Sequence, residues 1–371
     1  MAESADPSIA RYSARFYQPT LRTIPNGMST LLASYSGVPE EAQREHITRI
    51  RDRAYARHPY PCLGRWRFLD LDLSIHPLYA TNILPALRGR SDGEGEGEGE
   101  GQGHTWLFLD LGCCLGQDIR KLICDGADAS RLRGADLRPE FIECGYDLFC
   151  DRDRFPISRF IAPADVFDLS PTAPLAQLDG KVGILHVCAV FHLFDLPGQK
   201  ALAHRVLRLL ARNAQGFVGP QQQQETQEEE KRSSTCTKAL IIGAQTANIN
   251  AGEYERRPGD GQWRYRHNHE SWTTFWQEAI AQPEWTSLIK HVQVGSLLEA
   301  RTSGLGDPII STDDTSPLNP TSSTITTTTK SNVDANNSNL IHDGNTFQRQ
   351  IGLVEEGFRW MKWWVWVTFA E

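Results

Sequence analysis

From Trp106 onward the chain alternates short, continuous apolar runs with segments whose apolar residues recur at helical spacing. Trp106 to Asp110 reads as a strand, Gln117 to Cys124 as a helix, Leu132 to Leu137 as a strand and Pro139 to Phe149 as a helix. Phe160 to Ala162 is a short strand, Gly183 to Val190 a stronger one, Gln199 to Leu210 a helix and Ala239 to Gly243 a strand. Strands that are apolar on both sides and separated by helices predict a parallel sheet covered on both faces. The last part departs from this alternation: Ser271 to Ile280 is helical, His291 to Leu298 a strand, and Phe358 to Phe369 a long aromatic strand with no helix after it. An antiparallel strand completing the sheet accounts for that ending. Upstream, Pro39 to Arg57 carries Ile47, Ile50 and Ala54 on one helical face and stops before Pro59, as helices do. Tyr60 to Phe68 is aromatic and broken by proline, which suits a cap rather than a strand.

Composition changes this picture in three places. Ser91 to Gly103 alternates Gly with Glu, Pro220 to Thr235 runs from four glutamines into acids, and Ser303 to Thr346 holds 22 Ser, Thr or Asn among 44 residues. None can bury enough apolar surface to offset the entropy of ordering, so they read as insertions. The predicted organisation is a cap over residues 1–90, a linker at 91–103, a core at 104–302 interrupted at 220–235, a third insertion at 303–346 and a returning strand at 347–371.

The net charge is -8, but the three insertions carry -11 of it, leaving +3 on about 300 residues. Without a strongly basic stripe, nucleic acid is not an expected partner. There is no run of 18 apolar residues and no secretory signal pattern at Met1 to Ala10. Eight cysteines without a C-x-x-C pair indicate reduced thiols and no metal centre, so the protein reads as soluble and cytoplasmic.

The chemistry lies at the strand ends. Leu107-Phe-Leu-Asp-Leu-Gly-Cys-Cys-Leu-Gly-Gln-Asp118 is a glycine turn between a buried strand and a helix, where a ligand can approach backbone and the helix dipole. Asp110 ends the first strand, Asp136 follows 26 residues later where a carboxylate can accept both ribose hydroxyls, and Asp165 follows the third strand where it can accept an adenine amino group. Gly112 and Gly116, with Cys114 between them, do not make the G-x-G-x-x-G that cradles a pyrophosphate, and none of the nine tyrosines has a lysine four residues on. A cationic nucleoside cofactor without phosphates fits better, namely S-adenosylmethionine.

Leu109-Asp-Leu-Gly-Cys-Cys-Leu-Gly-Gln-Asp-Ile-Arg120, Gly134-Ala-Asp-Leu-Arg-Pro-Glu-Phe-Ile142, Phe191-His-Leu-Phe-Asp195 and Asn248-Ile-Asn-Ala-Gly-Glu-Tyr254 resemble the class I methyltransferases of fungal secondary metabolism. Within that group the resemblance is to enzymes of meroterpenoid pathways such as austinol, terretonin and andrastin biosynthesis. It covers Ile47 through Leu298 and the C-terminal strand. It implies a Rossmann-like α/β fold with strand order 3-2-1-4-5-7-6, the last strand antiparallel, and a helical N-terminal cap. It further implies that Asp110, Gly112, Cys113, Gly116 and Gln117 surround the methionine part, Asp136 and Leu137 the ribose, and Asp165 and Val166 the adenine. The implied reaction is methyl ester formation on a carboxyl group of a prenylated polyketide; methylation of a phenol or hydroxyl, and a weakly active cofactor-binding partner subunit, are the alternatives.

For the acceptor side, His192 and His267 are candidate bases and Tyr60, Trp66, Asn250, Tyr254 and Arg266 candidate contacts to a small apolar substrate. His186, inside the fourth strand, is weighed against a core role, as is the period-two aromatic run at the C-terminus. The sequence leaves the oligomeric state open, a homodimer included. Trimming Gly93 to Gly103 and Ser311 to Asn345 to short linkers should leave the melting temperature nearly unchanged, because loop closure depends weakly on length. An insoluble or clearly destabilised product in thermal denaturation would refute the insertion reading.

Overall fold

A computed structural model describes residues 16–88, 106–212, 237–255, 261–300 and 356–370. The insertions expected at 91–103, 220–235 and 303–346 lie outside the described residues, as does the stretch 347–355. Two cap helices come first, α1 (Asn26–Ser34) and α2 (Glu40–Arg57). The core then runs β1 (Leu107–Leu111), α3 (Gln117–Cys124), β2 (Leu132–Ala135), α4 (Pro139–Phe149), β3 (Phe160–Ile161), β4 (Val182–Cys188), α5 (Leu196–Leu209) and β5 (Lys238–Asn248). It ends with a hairpin, β6 (Gly252–Glu255) and β7 (Trp263–Arg266), then α6 (His269–Ile280), β8 (Ile289–Glu299) and β9 (Phe358–Phe369). Among the described residues no helix is long and apolar enough to cross a membrane.

Seven strands form one sheet in the order β3-β2-β1-β4-β5-β9-β8. Counting only its members, that is 3-2-1-4-5-7-6, the order expected. β1 to β5 are parallel, and β9 runs antiparallel to both β5 and β8. β5 is longer than its apolar run: Gln245, Thr246 and Asn248 belong to it because β9 pairs along its whole length, Lys238 against Thr368 through Asn248 against Phe358. α5 begins three residues before its predicted start, because Asp195 caps it by accepting the Gly198 N–H at 2.9 Å and Pro197 falls in the first turn, where its missing N–H costs nothing. The hairpin β6–β7 and helix α1 are additions to the predicted elements.

The aromatic run is sheet packing, as its alternation indicates. One face of β9 sends Trp363, with no exposed surface, against Trp272 and Trp276 of α6 and against Phe191, with Trp272 and Trp363 centroids 4.9 Å apart. On the opposite face of the sheet a second cluster joins Trp366 with residues of α3 and of the helical segment Tyr79–Leu87. A third cluster joins the cap to the core: Leu31, Ile47, Ile50 and Ala54 pack with Leu115, Phe141, Leu148 and Phe149.

Two buried arginines organise that junction. Arg51 lies 3.5 Å over the Trp66 ring and 4.3 Å over Tyr17, donating to the Gln18 carbonyl at 2.9 Å. Arg120, on α3, pairs with Asp151 through two hydrogen bonds of 2.9 and 3.1 Å, both side chains wholly buried. The pair is boxed by Tyr146, Phe149, Phe155 and Phe160, and Tyr35 of the cap donates its hydroxyl to Asp151 at 2.8 Å. Asp151→Ala should therefore lose about 3–5 kcal/mol of unfolding free energy, since it strands a buried guanidinium. Denaturant unfolding that shows a loss under about 1 kcal/mol would contradict this account of the junction.

Candidate functional site

The turn after β1 places three residues in the left-handed region within five positions: Gly112, Cys114 and Gly116, at φ +79°, +53° and +68°. Gly112 and Cys113 both donate their N–H to the Ala135 carbonyl, at 2.7 and 3.0 Å, which draws the turn onto β2. A Cβ on Gly112 would stand 2.5 Å from Val190 Cγ2, and one on Gly116 2.3 Å from Arg120 Nη1, so both positions need glycine for space as well as φ. Cys114 has no such relief, and its N–H is held at 2.8 Å by Asp136 Oδ2. The Cys113 thiol points into the apolar cluster under the sheet with Trp106 and Ile119. With its side chain facing inward, the Cys113 thiol is corrected to a core group.

Asp136 also accepts the Arg138 N–H at 2.9 Å, through Oδ1. Burial pushes its carboxyl up to about 6, against those two bonds from Arg138 and Cys114. Each oxygen keeps a lone pair for another donor. Leu137 beside it is exposed. The chain after β3 is drawn to the same edge by Ala164 N–H donating to the Asp136 carbonyl at 2.9 Å, and the exposed Asp165 accepts the Phe167 N–H at 2.8 Å while Val166 packs partly into the core. Gln117 opens α3 with its Oε1 buried and without a hydrogen-bond partner.

Asp110 is buried, with Oδ1 bonded to His186 Nδ1 at 2.8 Å and Oδ2 buried without a partner. Asp118, which the sequence reading did not single out, joins them; ligating atoms of Asp110, Asp118 and His186 lie within 4.8 Å of one another. The cluster can therefore hold positive charge, where the sequence pointed to no metal centre. Burial opposes charge on His186, but Asp110, with Asp118 and Asp72 behind it, raises its pKa above the ordinary value. Burial raises Asp118 to about 7, opposed by His186.

The cap segment closes this edge in a way the sequence did not signal. Arg67 lies 4.3 Å over the Trp360 ring, Cys188 Sγ donates to Asp72 at 3.5 Å, Leu73 N–H donates to Asp118 at 3.1 Å, and His76 Nε2 bonds the Trp363 carbonyl at 3.2 Å. Of the cap aromatics, Trp66 is corrected to a core residue: it is buried under Arg51, and Phe68 is buried as well. Tyr60 stays half-buried, packed edge-on against Phe141 at the start of α4.

Val190, pressed on Gly112, sets the loop after β4 beside the glycine turn, and His192 follows two residues later. His192 Nδ1 takes the Thr246 N–H at 3.3 Å. A backbone N–H can only donate, so Nε2 carries the ring proton. Burial holds His192 well below the usual histidine pKa, helped by Arg266, Arg264 and Arg67. Arg266 is buried and donates to the His192 carbonyl at 3.0 Å, fixing that loop to the hairpin. Asn250 lies in the turn between β5 and β6 and Tyr254 in β6, from which its hydroxyl donates back to the Asn250 carbonyl at 2.7 Å.

His267 is corrected as a candidate base. It is buried with Nδ1 bonded to Ser271 Oγ at 3.0 Å, at the entry to α6 that Asn268 caps, and Nε2 bonded to Gln199 Oε1 of α5 at 3.1 Å, so both nitrogens are engaged. A cavity of about 830 Å³ lined by His46, Arg49, Arg53 and Asp147 lies between α2 and the C-terminal end of α4, the end remote from Asp136.

A 3-2-1-4-5-7-6 sheet with a glycine turn after β1 and carboxylates at the ends of its first three strands defines a class I methyltransferase, with S-adenosylmethionine as cofactor. Residues 16–69 match the family described as meroterpenoid methyltransferase N-terminal domain. The chain is 33% identical over 280 residues to O-methyltransferase phiE of Fungal sp. (strain ATCC 74256), covering 75% of this chain and 79% of that one. It is 30% identical over 266 residues to methyltransferase trt5 of Aspergillus terreus, covering 72% and 80% respectively. It is 38% identical over 182 residues to the asnovolin E/chermesin D methyltransferase nvfJ of Aspergillus novofumigatus, covering 49% and 59%. The chain belongs to the fungal meroterpenoid methyltransferases.

Burial pushes His267 down to about 3, with Ser271 opposing. Below pH 6.5 the unfolded chain binds a proton there that the folded one does not, so this site's share of stability is present above 6.5 and falls by about 1.4 kcal/mol per pH unit on the way to about 3. The stability difference between wild type and His267→Gln should accordingly shrink as pH drops from 6.5. Chemical denaturation at a series of pH values would oppose the assignment if that difference stayed constant.

Proposed function

We propose that this enzyme O-methylates a carboxylate on a small, largely apolar meroterpenoid acid, giving a methyl ester. S-adenosylmethionine supplies an electrophilic methyl group on a sulfonium. For its binding, the buried Oδ2 of Asp110 suits an ammonium group, the remaining lone pairs of Asp136 suit the two ribose hydroxyls, and Asp165 suits an adenine amine, with Leu137 and Val166 flanking. Gly112, Gly116 and Gln117 give the backbone approach to the methionine part.

The observation that carries the carboxyl reading is the state of the histidines at the acceptor edge. His192 is neutral with Nδ1 occupied, so Nε2 can donate a hydrogen bond and cannot take a proton; His267 has both nitrogens engaged. A carboxylic acid with a pKa near about 4 is already an anion at neutral pH and needs a donor rather than a base, whereas a phenol near about 10 needs its proton removed. With no proton to move, what the chain provides is alignment and exclusion of water. The exposed Leu193, Ile249 and Trp263, on the loops after β4 and β5 and on the hairpin, suit the apolar body of such an acceptor, and Tyr60, Asn250, Tyr254 and Arg266 are assigned to its surroundings. The free thiols of the seven described cysteines suit the reducing cytoplasm.

The test is to incubate the enzyme with methyl-labelled S-adenosylmethionine and the acidic extract of a host culture lacking it. Label in the product should return as volatile methanol under mild alkali, and His192→Gln should add no pH dependence above pH 7. An alkali-stable ether, or turnover of the variant recovering toward pH 10, would mark a hydroxyl acceptor instead.

A further inference from the structure

The indole of Trp360 forms the floor of an unusual meeting of donors. Thr246 is its direct cross-strand partner, Arg67 of the cap lies 4.3 Å over the ring, and the His192 ring stands edge-on to it at 6.3 Å. Each of the three has a donor to offer. The Thr246 hydroxyl is buried and makes no hydrogen bond among the described residues. Arg67 Nη2 makes none either; it is ion-paired to Asp70 and Asp72 at 3.5 and 3.6 Å, long enough to leave it without a hydrogen bond. His192 turns its protonated Nε2 away from Thr246 N–H.

We propose that Arg67, Thr246 and His192 together seat the carboxylate of the methyl acceptor over Trp360, so that the N-terminal module supplies the charge recognised and the core supplies two neutral donors. This rests on the carboxyl reading above. A guanidinium and two hydrogen bonds suit a monoanion with two oxygens, and the positive charge of Arg264 and Arg266 nearby adds to the field that favours it. Asp70 and Asp72, ion-paired at 3.5 and 3.6 Å to the same Arg67 nitrogen, already bring negative charge to the seat, so a second negative charge on the acceptor is disfavoured and the seat fits a monocarboxylate with an apolar body. Val190, which touches Gly112, places this seat next to the cofactor turn without overlapping the acids assigned to cofactor.

The acceptor acid isolated from the host extract, identified by the alkali-labile label it acquires, is the probe. Arg67→Gln should raise its KM by about 10- to 100-fold and change kcat much less, as expected for one lost charge-assisted hydrogen bond. Arg67→Lys should recover part of that loss, and Thr246→Val, which keeps shape and removes the hydroxyl, should raise KM by about 3- to 30-fold. Inhibition by the neutral methyl ester should change little in any of them, and calorimetric binding of S-adenosylhomocysteine should match wild type in each, which separates lost recognition from lost folding. Unchanged KM in folded Arg67→Gln and Thr246→Val, with an ester still formed, would overturn this seat while leaving carboxyl methylation intact. An ether product in the wild-type reaction would instead remove the carboxyl reading and this seat with it.

Discussion

The structure depends on one ion pair with no access to water, Arg120 with Asp151. Its guanidinium does more than satisfy a carboxylate: Nη1 also reaches the carbonyls of Leu115 and Gly116, each at 3.4 Å, in the turn after β1. The same Asp151 holds Tyr35 of the cap. A single buried cation thus ties together the glycine turn, the segment after α4 and the N-terminal module. Buried pairs contribute little net stability over an apolar replacement, so the gain here is geometric: the four aromatic rings around Arg120 leave it one orientation, and the turn inherits it.

Around that fixed turn the sheet edge divides by sign of charge. Toward β2 and β3 it carries Asp110, Asp118, Asp136 and Asp165, which suits a cofactor that is cationic at both sulfur and amine. Toward β5 and β9 it carries Arg67, Arg264 and Arg266, with Asp70 and Asp72 paired to the first of them, which suits an anionic partner for that cation. Val190 stands at the division, packed on Gly112. On the carboxylate reading proposed above, an anionic acceptor and a cationic cofactor would meet there from opposite sides, with little proton chemistry left between them.

The parts of this arrangement visible in the sequence are those set by local rules. Strands such as Val182–Cys188, buried on both faces, declare themselves as apolar runs, and the turn needs glycine at Gly112 and Gly116 for steric reasons. The acids at the ends of β1, β2 and β3 followed from that frame. What stayed hidden is long-range. Asp72 meets Cys188 across 116 positions, and no periodicity marks Arg67 as the residue that will cover Trp360. Trp66 looked like an exposed aromatic because its cover, Arg51, comes from the preceding helix. His267 looked reactive because its partner Gln199 lies 68 positions away. The hairpin at Gly252–Glu255 and Trp263–Arg266 is short and half-exposed, so its residues show no clean alternation.

The place of β9 in the sheet bears on how the protein comes into being. β9 lies between β5 and β8, yet it is translated after both. Until it emerges from the ribosome, β5 presents an open edge eleven residues long and the rings of α6 lack Trp363. Such an edge invites pairing with other chains. A nascent chain of this enzyme therefore carries an open strand edge until its last strand is made, so the order of synthesis as well as the stability of the finished fold bears on its folding.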